Sequence, residues 1–243
     1  MLAKTKGVVL HTIPYSDTYS IVHVYTETFG RAAYLVPRNK GKKATFAKAL
    51  FIPLSVVEME VDHQNKRDLH RIKEIRISFP QTEIYCNPVK NIIAMFLAEV
   101  LFRVLKETEP DVSLFQYLYD SIQLMEVVED GIANFHIVFL LKLLIHLGIY
   151  PNTESGANRE YGYFDLLNGV FVQTIPLHRH FLGKEESAVF GRLLRISFEN
   201  MSLYSFSRRE RVAIIGHILE YYRLHLPEFP EIKSISVMQS LFD

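Results

Sequence analysis

The chain has 243 residues, 49% hydrophobic and 22% charged, with 27 Lys and Arg balanced by 27 Asp and Glu. This composition excludes a disordered chain and leaves ample material for a buried core. The single cysteine, Cys86, excludes an intramolecular disulfide and any cysteine-cluster metal site, and it fits a reducing compartment.

The neutrality hides an uneven distribution. Residues 1–80 hold 13 Lys and Arg against 7 Asp and Glu, a net +6, whereas residues 81–150 hold 4 against 9, a net −5. The remainder is −1. Two differently charged sections imply surfaces with different partners.

Met1-Leu2-Ala3-Lys4 leads directly into strand-like sequence, without the pattern of a signal peptide. Over the first 80 residues, Gly7–Ile13, Ser20–Thr28, Arg31–Pro37, Leu50–Val61 and Leu69–Ser78 read as strands rich in Val, Ile, Tyr and Thr. Turn chemistry separates them at Pro14-Tyr15-Ser16-Asp17, Phe29-Gly30, Asn39-Lys40-Gly41 and Asp62-His63-Gln64-Asn65. Five strands cannot bury both faces as an open sheet, so closure into a small barrel is expected. A helical turn at Ala44–Ala49 between the third and fourth strands is compatible with a five-stranded OB barrel, and an SH3-like barrel stays open.

From Asn87 the period becomes helical. Asn87 caps a helix with Pro88 in its first turn and an apolar face through Val89, Ile92, Ile93, Phe96, Leu97, Val100, Leu101 and Val104. Asp111 opens a second helix, and a third, almost wholly apolar, runs from about Ala133 to Gly148. The apolar stretch Phe135–Ile149 is too short to span a bilayer and reads as a buried helix. Helical periodicity then lapses over 150–176. There Tyr161–Leu167 and Val170–Gln173 flank Asn168-Gly169 as a hairpin, after the polar loop Pro151–Arg159. Two helices follow, over about Glu186–Asn200 and from a Ser207/Glu210 capping box to His225. The fold class is therefore α+β. It has an OB-type barrel over 1–80, a helical domain over 81–243, and an inserted module at 150–176.

No catalytic motif is present. Lys40-Gly41-Lys42-Lys43 lacks the first glycine and the Ser or Thr of a phosphate-binding loop, and there is no Gly-x-Ser-x-Gly elbow. His178-Arg179-His180 has no third ligand and reads as a solvated loop. His136 and His146 are ten residues apart on an apolar helix, where core histidines are expected. The reading therefore expects no enzyme, metal or cofactor.

Nucleic-acid binding is better supported. Between Gly30 and Lys48 the chain carries Arg31, Arg38, Lys40, Lys42, Lys43 and Lys48 and no acid. A cationic loop on a β scaffold suits a phosphate backbone. Single-strand binding also needs aromatic faces. Tyr15, Tyr19, Tyr25, Phe29 and Tyr34 lie near the loop, about half of them facing the core by alternation, and Tyr25 and Tyr34 are taken as the stacking pair. Lys4 and Lys6 extend the positive face.

The order Gly7-Val8-Val9-Leu10, Tyr15-Ser16-Asp17, Tyr25-Thr26-Glu27-Thr28-Phe29-Gly30-Arg31, the basic loop and Phe46-Ala47-Lys48-Ala49-Leu50 resembles the N-terminal domain of the bacterial RecO family. Phe51-Ile52-Pro53-Leu54 stands where that family has L-x-P-F, and Pro37-Arg38-Asn39-Lys40 replaces the usual K-G-x-R form. The likeness continues through Leu147-Gly148-Ile149-Tyr150-Pro151 and Tyr221-Tyr222-Arg223-Leu224-His225-Leu226, and so covers nearly the whole chain.

The resemblance implies an OB barrel followed by a helical domain with an inserted small module. It also implies a DNA repair and recombination mediator of the bacterial cytoplasm and nucleoid. Such a mediator binds single- and double-stranded DNA, anneals strands and helps load recombinase onto DNA coated by single-strand-binding protein. The partners implied are a RecR-like protein and the single-strand-binding protein's C-terminal tail. An acidic, apolar-ended tail needs a cation on the helical section, where Arg103, Lys142, Arg192 and Arg195 are the candidates. Many family members bind zinc through four cysteines in the inserted module. Here residues 150–176 contain none, so packing of Tyr161, Tyr163, Phe164, Leu166 and Phe171 is expected instead, without zinc. The rival reading is a protein-interaction scaffold built on an OB barrel.

Overall fold

A computed structural model describes residues 2–38, 50–64, 67–106, 109–152 and 162–240. The expected short helix at Ala44–Ala49 lies outside the described residues. β1 (Leu2–Pro14), β2 (Tyr19–Thr26), β3 (Gly30–Pro37), β4 (Val56–Asp62) and β5 (Leu69–Ile77) close into a barrel in the order β1-β2-β3-β5-β4. β3 and β5 pair in parallel, while β1 pairs with both β2 and β4 in antiparallel fashion. This closure satisfies both sheet edges and is the strand order of an OB barrel.

Alternation supplies the barrel core: Val9, Val22, Val24, Ala32, Tyr34, Val36, Val57, Met59 and Val61 pack inside it. A bulge between Val9 and His11 interrupts the alternation in β1. The extra residue lets Val9 and Leu10 both be buried and then reverses which side chains face outward. The β2–β3 turn rests on Gly30, whose φ is 62°, and on the Thr26 hydroxyl, which donates to the Gly30 carbonyl at 2.8 Å.

The chain divides into two compact units, residues 2–128 with 232–240, and residues 129–231. By contact, the first helices after residue 80 group with the barrel. α1 (Thr82–Cys86), α2 (Pro88–Val104) and α3 (Val112–Val127) follow β5. Asn87 caps α2 by accepting from Val89 and Lys90 N–H, and Asp111 caps α3 through Leu114 N–H, as the sequence predicts. Gln81 joins barrel to helices from a buried position: its Nε2 donates to Leu54 O and its Oε1 accepts from Val56 N–H. Glu126 accepts from two N–H groups in the first turn of α1, those of Glu83 and Ile84. The short α7 (Ile235–Ser240) returns to this unit, held at its start by Glu99, which accepts from Lys233 and Ser234 N–H.

The second unit is built around α4 (Phe135–His146), nearly every side chain of which is buried. β6 (Tyr163–Asp165) and β7 (Val170–Val172) form the hairpin expected around Asn168-Gly169, and β8 (Phe181–Leu182) adds a third strand on the other side of β6. α5 (Lys184–Leu193) ends earlier than its apolar period implies. A turn over 197–200, in which Asn200 Oδ1 accepts from Ser197 N–H, competes with the helix there. α6 (Arg208–His225) begins at the Ser207/Glu210 capping box. Among the described residues no helix is long and apolar enough to cross a membrane.

Candidate nucleic-acid interface

Strand register defines an outward-facing grid on β1, β2 and β3. Beyond the bulge, His11 pairs with His23, Ile13 with Ile21 and Pro14 with Ser20. On the other side of β2, His23 pairs with Ala33, Ile21 with Leu35 and Tyr19 with Pro37. Directly paired residues project to the same face. The outer rows are therefore His11–His23–Ala33, then Ile13–Ile21–Leu35. The last is Tyr15–Tyr19–Pro37, with Tyr15 opposite Tyr19 by continuation of the register.

Among the described residues, helices cover one end of this grid. The Phe102 ring of α2 lies 4.7 Å from the His11 ring and 5.1 Å from that of His23. Burial, with the charges of Arg31 and His11, pushes His23 down to about 4. One step further, Tyr25 is fully buried on the outer face, its hydroxyl accepting from Asp111 N–H at 3.3 Å. At the opposite end Ile13 is 39%, Tyr15 63% and Tyr19 41% exposed.

The exposed arm is held in shape. Ser16 Oγ accepts from Thr18 and Tyr19 N–H, and Tyr15 and Ser16 N–H both donate to Tyr19 O. Arg38 straps the arm to the end of β3: its N–H donates to Thr18 O at 2.7 Å and its guanidinium to Ser16 O at 3.1 Å.

These positions revise several expectations. Tyr34 lies in the barrel core, where burial pushes its phenol up, and Tyr25 lies beneath the start of α3. Neither ring offers a face to a base. Arg31 is engaged within the fold. Its guanidinium donates to Phe102 O (3.0 Å) and Leu105 O (2.8 Å) at the end of α2 and lies 4.4 Å over the Phe102 ring. Lys4 and Lys6 pair in register with Glu60 and Glu58, so their charge is locally balanced. Arg38 is exposed at the arm. Lys40, Lys42, Lys43 and Lys48 lie outside the described residues. Tyr15 and Tyr19 are the exposed aromatics that alternation alone could not single out, because the bulge reverses the phase of β1.

Of the partner-binding candidates, Arg103 belongs to the first unit, and Lys142, Arg192 and Arg195 to the second. Arg192 and Arg195 are exposed at the end of α5, and Lys142 is half-buried. The two residues of the His178-Arg179-His180 loop expected to be solvated are engaged. His178 Nε2 lies 3.2 Å from Asp165 Oδ2, and His180 Nδ1 lies 3.0 Å from Glu220 Oε1.

The fold and this arm define an OB-barrel protein with an exposed aromatic edge beside Arg38. Comparison with known proteins is more specific. The domain families Recombination protein O N terminal and Recombination protein O C terminal match residues 1–80 and 87–234. Proteins named DNA repair protein RecO are 45% identical in Azobacteroides pseudotrichonymphae, 44% in Phocaeicola vulgatus and 43% in Bacteroides fragilis, each over 100% of both chains. The chain belongs to the RecO family of DNA repair proteins.

The zinc that many family members hold in the inserted module does not fit the residues here. The module's centre is filled by Phe164, whose ring centroid lies 4.8 Å from Phe171, 4.6 Å from Phe190 and 6.2 Å from Tyr221. The Asp165 carboxylate accepts from Leu167 N–H, Asn168 N–H and Asn168 Nδ2 besides meeting His178. Among the described residues no three His, Cys, Asp or Glu converge as a metal site.

Proposed function

We propose that the chain is a non-enzymatic recombination mediator that binds single- and double-stranded DNA, promotes strand annealing and helps load recombinase onto strands coated by single-strand-binding protein. One observation carries this reading. The densest run of cations in the sequence follows Pro37-Arg38, which stand at the end of the β1–β2–β3 outer face where Ile13, Tyr15 and Tyr19 are exposed. Arg38, Lys40, Lys42, Lys43 and Lys48 are the cations that neutralise phosphates, and phosphate contacts carry no base information, so sequence selectivity is negligible. A RecR-like protein and the acidic tail of single-strand-binding protein are the partners, with the exposed Arg192 and Arg195 as candidates for the tail's carboxylates. The setting is the bacterial cytoplasm and nucleoid.

The test is anisotropy of labelled single and double strands across a salt series. If about four cations engage a single strand, the logarithmic slope is near −3, at about −0.7 per charge. Replacing Lys40, Lys42 and Lys43 with Ala weakens binding and flattens the slope. Affinity that vanishes at physiological salt, or a slope indifferent to the triple substitution, favours the protein-interaction scaffold instead. A labelled peptide ending in acidic and apolar residues, titrated in parallel, tests the tail; failure to saturate removes that partner.

A further inference from the structure

We infer that Tyr15 and Tyr19 form a base-stacking platform, so that the protein prefers single-stranded nucleic acid through the β1–β2 arm; this rests on the reading above. Tyr19 pairs with Pro37 of β3, and Tyr15 N–H donates to Tyr19 O, so the two tyrosines stand together at the end of the hairpin, next to the Ile13–Ile21 row. That end is the part of the outer face that α2 and α3 do not cover. The coverage is graded along β2: Tyr25 is fully buried, Ile21 and His23 are half-buried, and Tyr19 is exposed.

Exposed large apolar groups clustered at a rigid edge call for an occupant. Its chemistry follows from what adjoins the patch. Arg38 donates a guanidinium N–H to Ser16 O of the arm, and in the sequence it precedes a run of lysines without an acid. Asp17, at the tip, is the sole carboxylate between Leu2 and Thr26. Aromatic faces beside the Arg38 guanidinium match a strand whose phosphates and unstacked bases are both available. A duplex offers the phosphates but keeps its bases stacked, and an acidic peptide offers charge without π-faces for a tyrosine pair.

The arm is also preorganised. Ser16 and Arg38 fix the turn through hydrogen bonds to and from residues 16–19, so ordering the tyrosines adds little to the cost of binding.

The experiment compares three probes of equal length: labelled oligothymidine, an abasic deoxyribose-phosphate oligomer, and a duplex. Against oligothymidine, Tyr15→Ala/Tyr19→Ala loses at least tenfold in affinity, since base–aromatic stacking commonly amounts to about 1–3 kcal/mol per base. Against the abasic oligomer and the duplex it stays within about twofold, because those probes never used the rings. Tyr15→Phe/Tyr19→Phe retains oligothymidine affinity. Tyrosine emission provides a second readout: with no Trp in the chain, stacking quenches it in the wild type and less in the Ala variant. Equal losses on all three probes, or unchanged oligothymidine affinity, overturn the platform while leaving phosphate binding intact. Wild-type protein that binds none of the probes overturns the DNA-binding reading and the platform together.

Discussion

Arg31 is committed to the fold. Its guanidinium meets the carbonyls of Phe102 and Leu105, where α2 has run out of internal donors, and stacks on the Phe102 ring. Arg31→Ala therefore lowers stability by about 2 kcal/mol, the scale of charge-assisted hydrogen bonds. The salt slope of DNA binding stays as in the wild type. A shallower slope with unchanged thermal stability would return Arg31 to the phosphate-binding set. Tyr25 and Tyr34 are withdrawn from solvent for different reasons. Tyr34 follows the strand alternation into the barrel, opposite Val22, whereas Tyr25 points outward and is covered by the segment that starts α3.

At the scale of elements, the inserted module illustrates how packing replaces a metal. A small three-stranded sheet needs something to hold it. Here Phe164 sits between Phe171, Phe190 and Tyr221, and Tyr221 in turn donates to Ile149 O. Gly169 serves the same packing: with φ at 66°, it brings the hairpin backbone so close to Tyr221 that a Cβ would lie 2.6 Å from the phenol oxygen. Phe164→Ala is expected to destabilise this unit by about 3–5 kcal/mol, as large-to-small core changes do. A chelator leaves the wild-type melting midpoint unchanged, and elemental analysis finds no stoichiometric ion. A midpoint that falls on chelation would show that a metal, not the ring cluster, holds the module.

At the scale of the whole molecule, buried histidines tie stability to pH. His136 is fully buried in α4, and burial with the nearby Arg211 charge pushes it down to about 3. His23 is pushed down to about 4. The unfolded chain takes up protons at these positions near pH 6.5, while the folded chain does not. Stability is therefore full above that pH and declines as the pH falls toward the folded values. Between about pH 7.5 and 5, His136 alone accounts for a loss of about 2 kcal/mol. Urea midpoints measured across that range should fall with pH, and His136→Leu should flatten the trend. An unchanged slope in that variant would show that His136 is not the titrating group.

Local rules written in the residues themselves determined the barrel strands apart from the start of β4, which begins at Val56 rather than Leu50, the caps at Asn87, Asp111 and Ser207, the hairpin at Asn168-Gly169 and the buried character of α4. Each depends on neighbours within a few positions, through side-chain period or a side chain reaching its own backbone. The terminal helix α7 and the strand β8 are short and carry no period long enough to read. Only the tertiary structure decided which tyrosines meet solvent and which cations are free. One extra residue at the β1 bulge turns Tyr15 outward, and helices distant in sequence bury Tyr25 and hold Arg31. Such long-range coverage leaves no mark on local spacing, because a residue's exposure depends on what the rest of the chain lays over it.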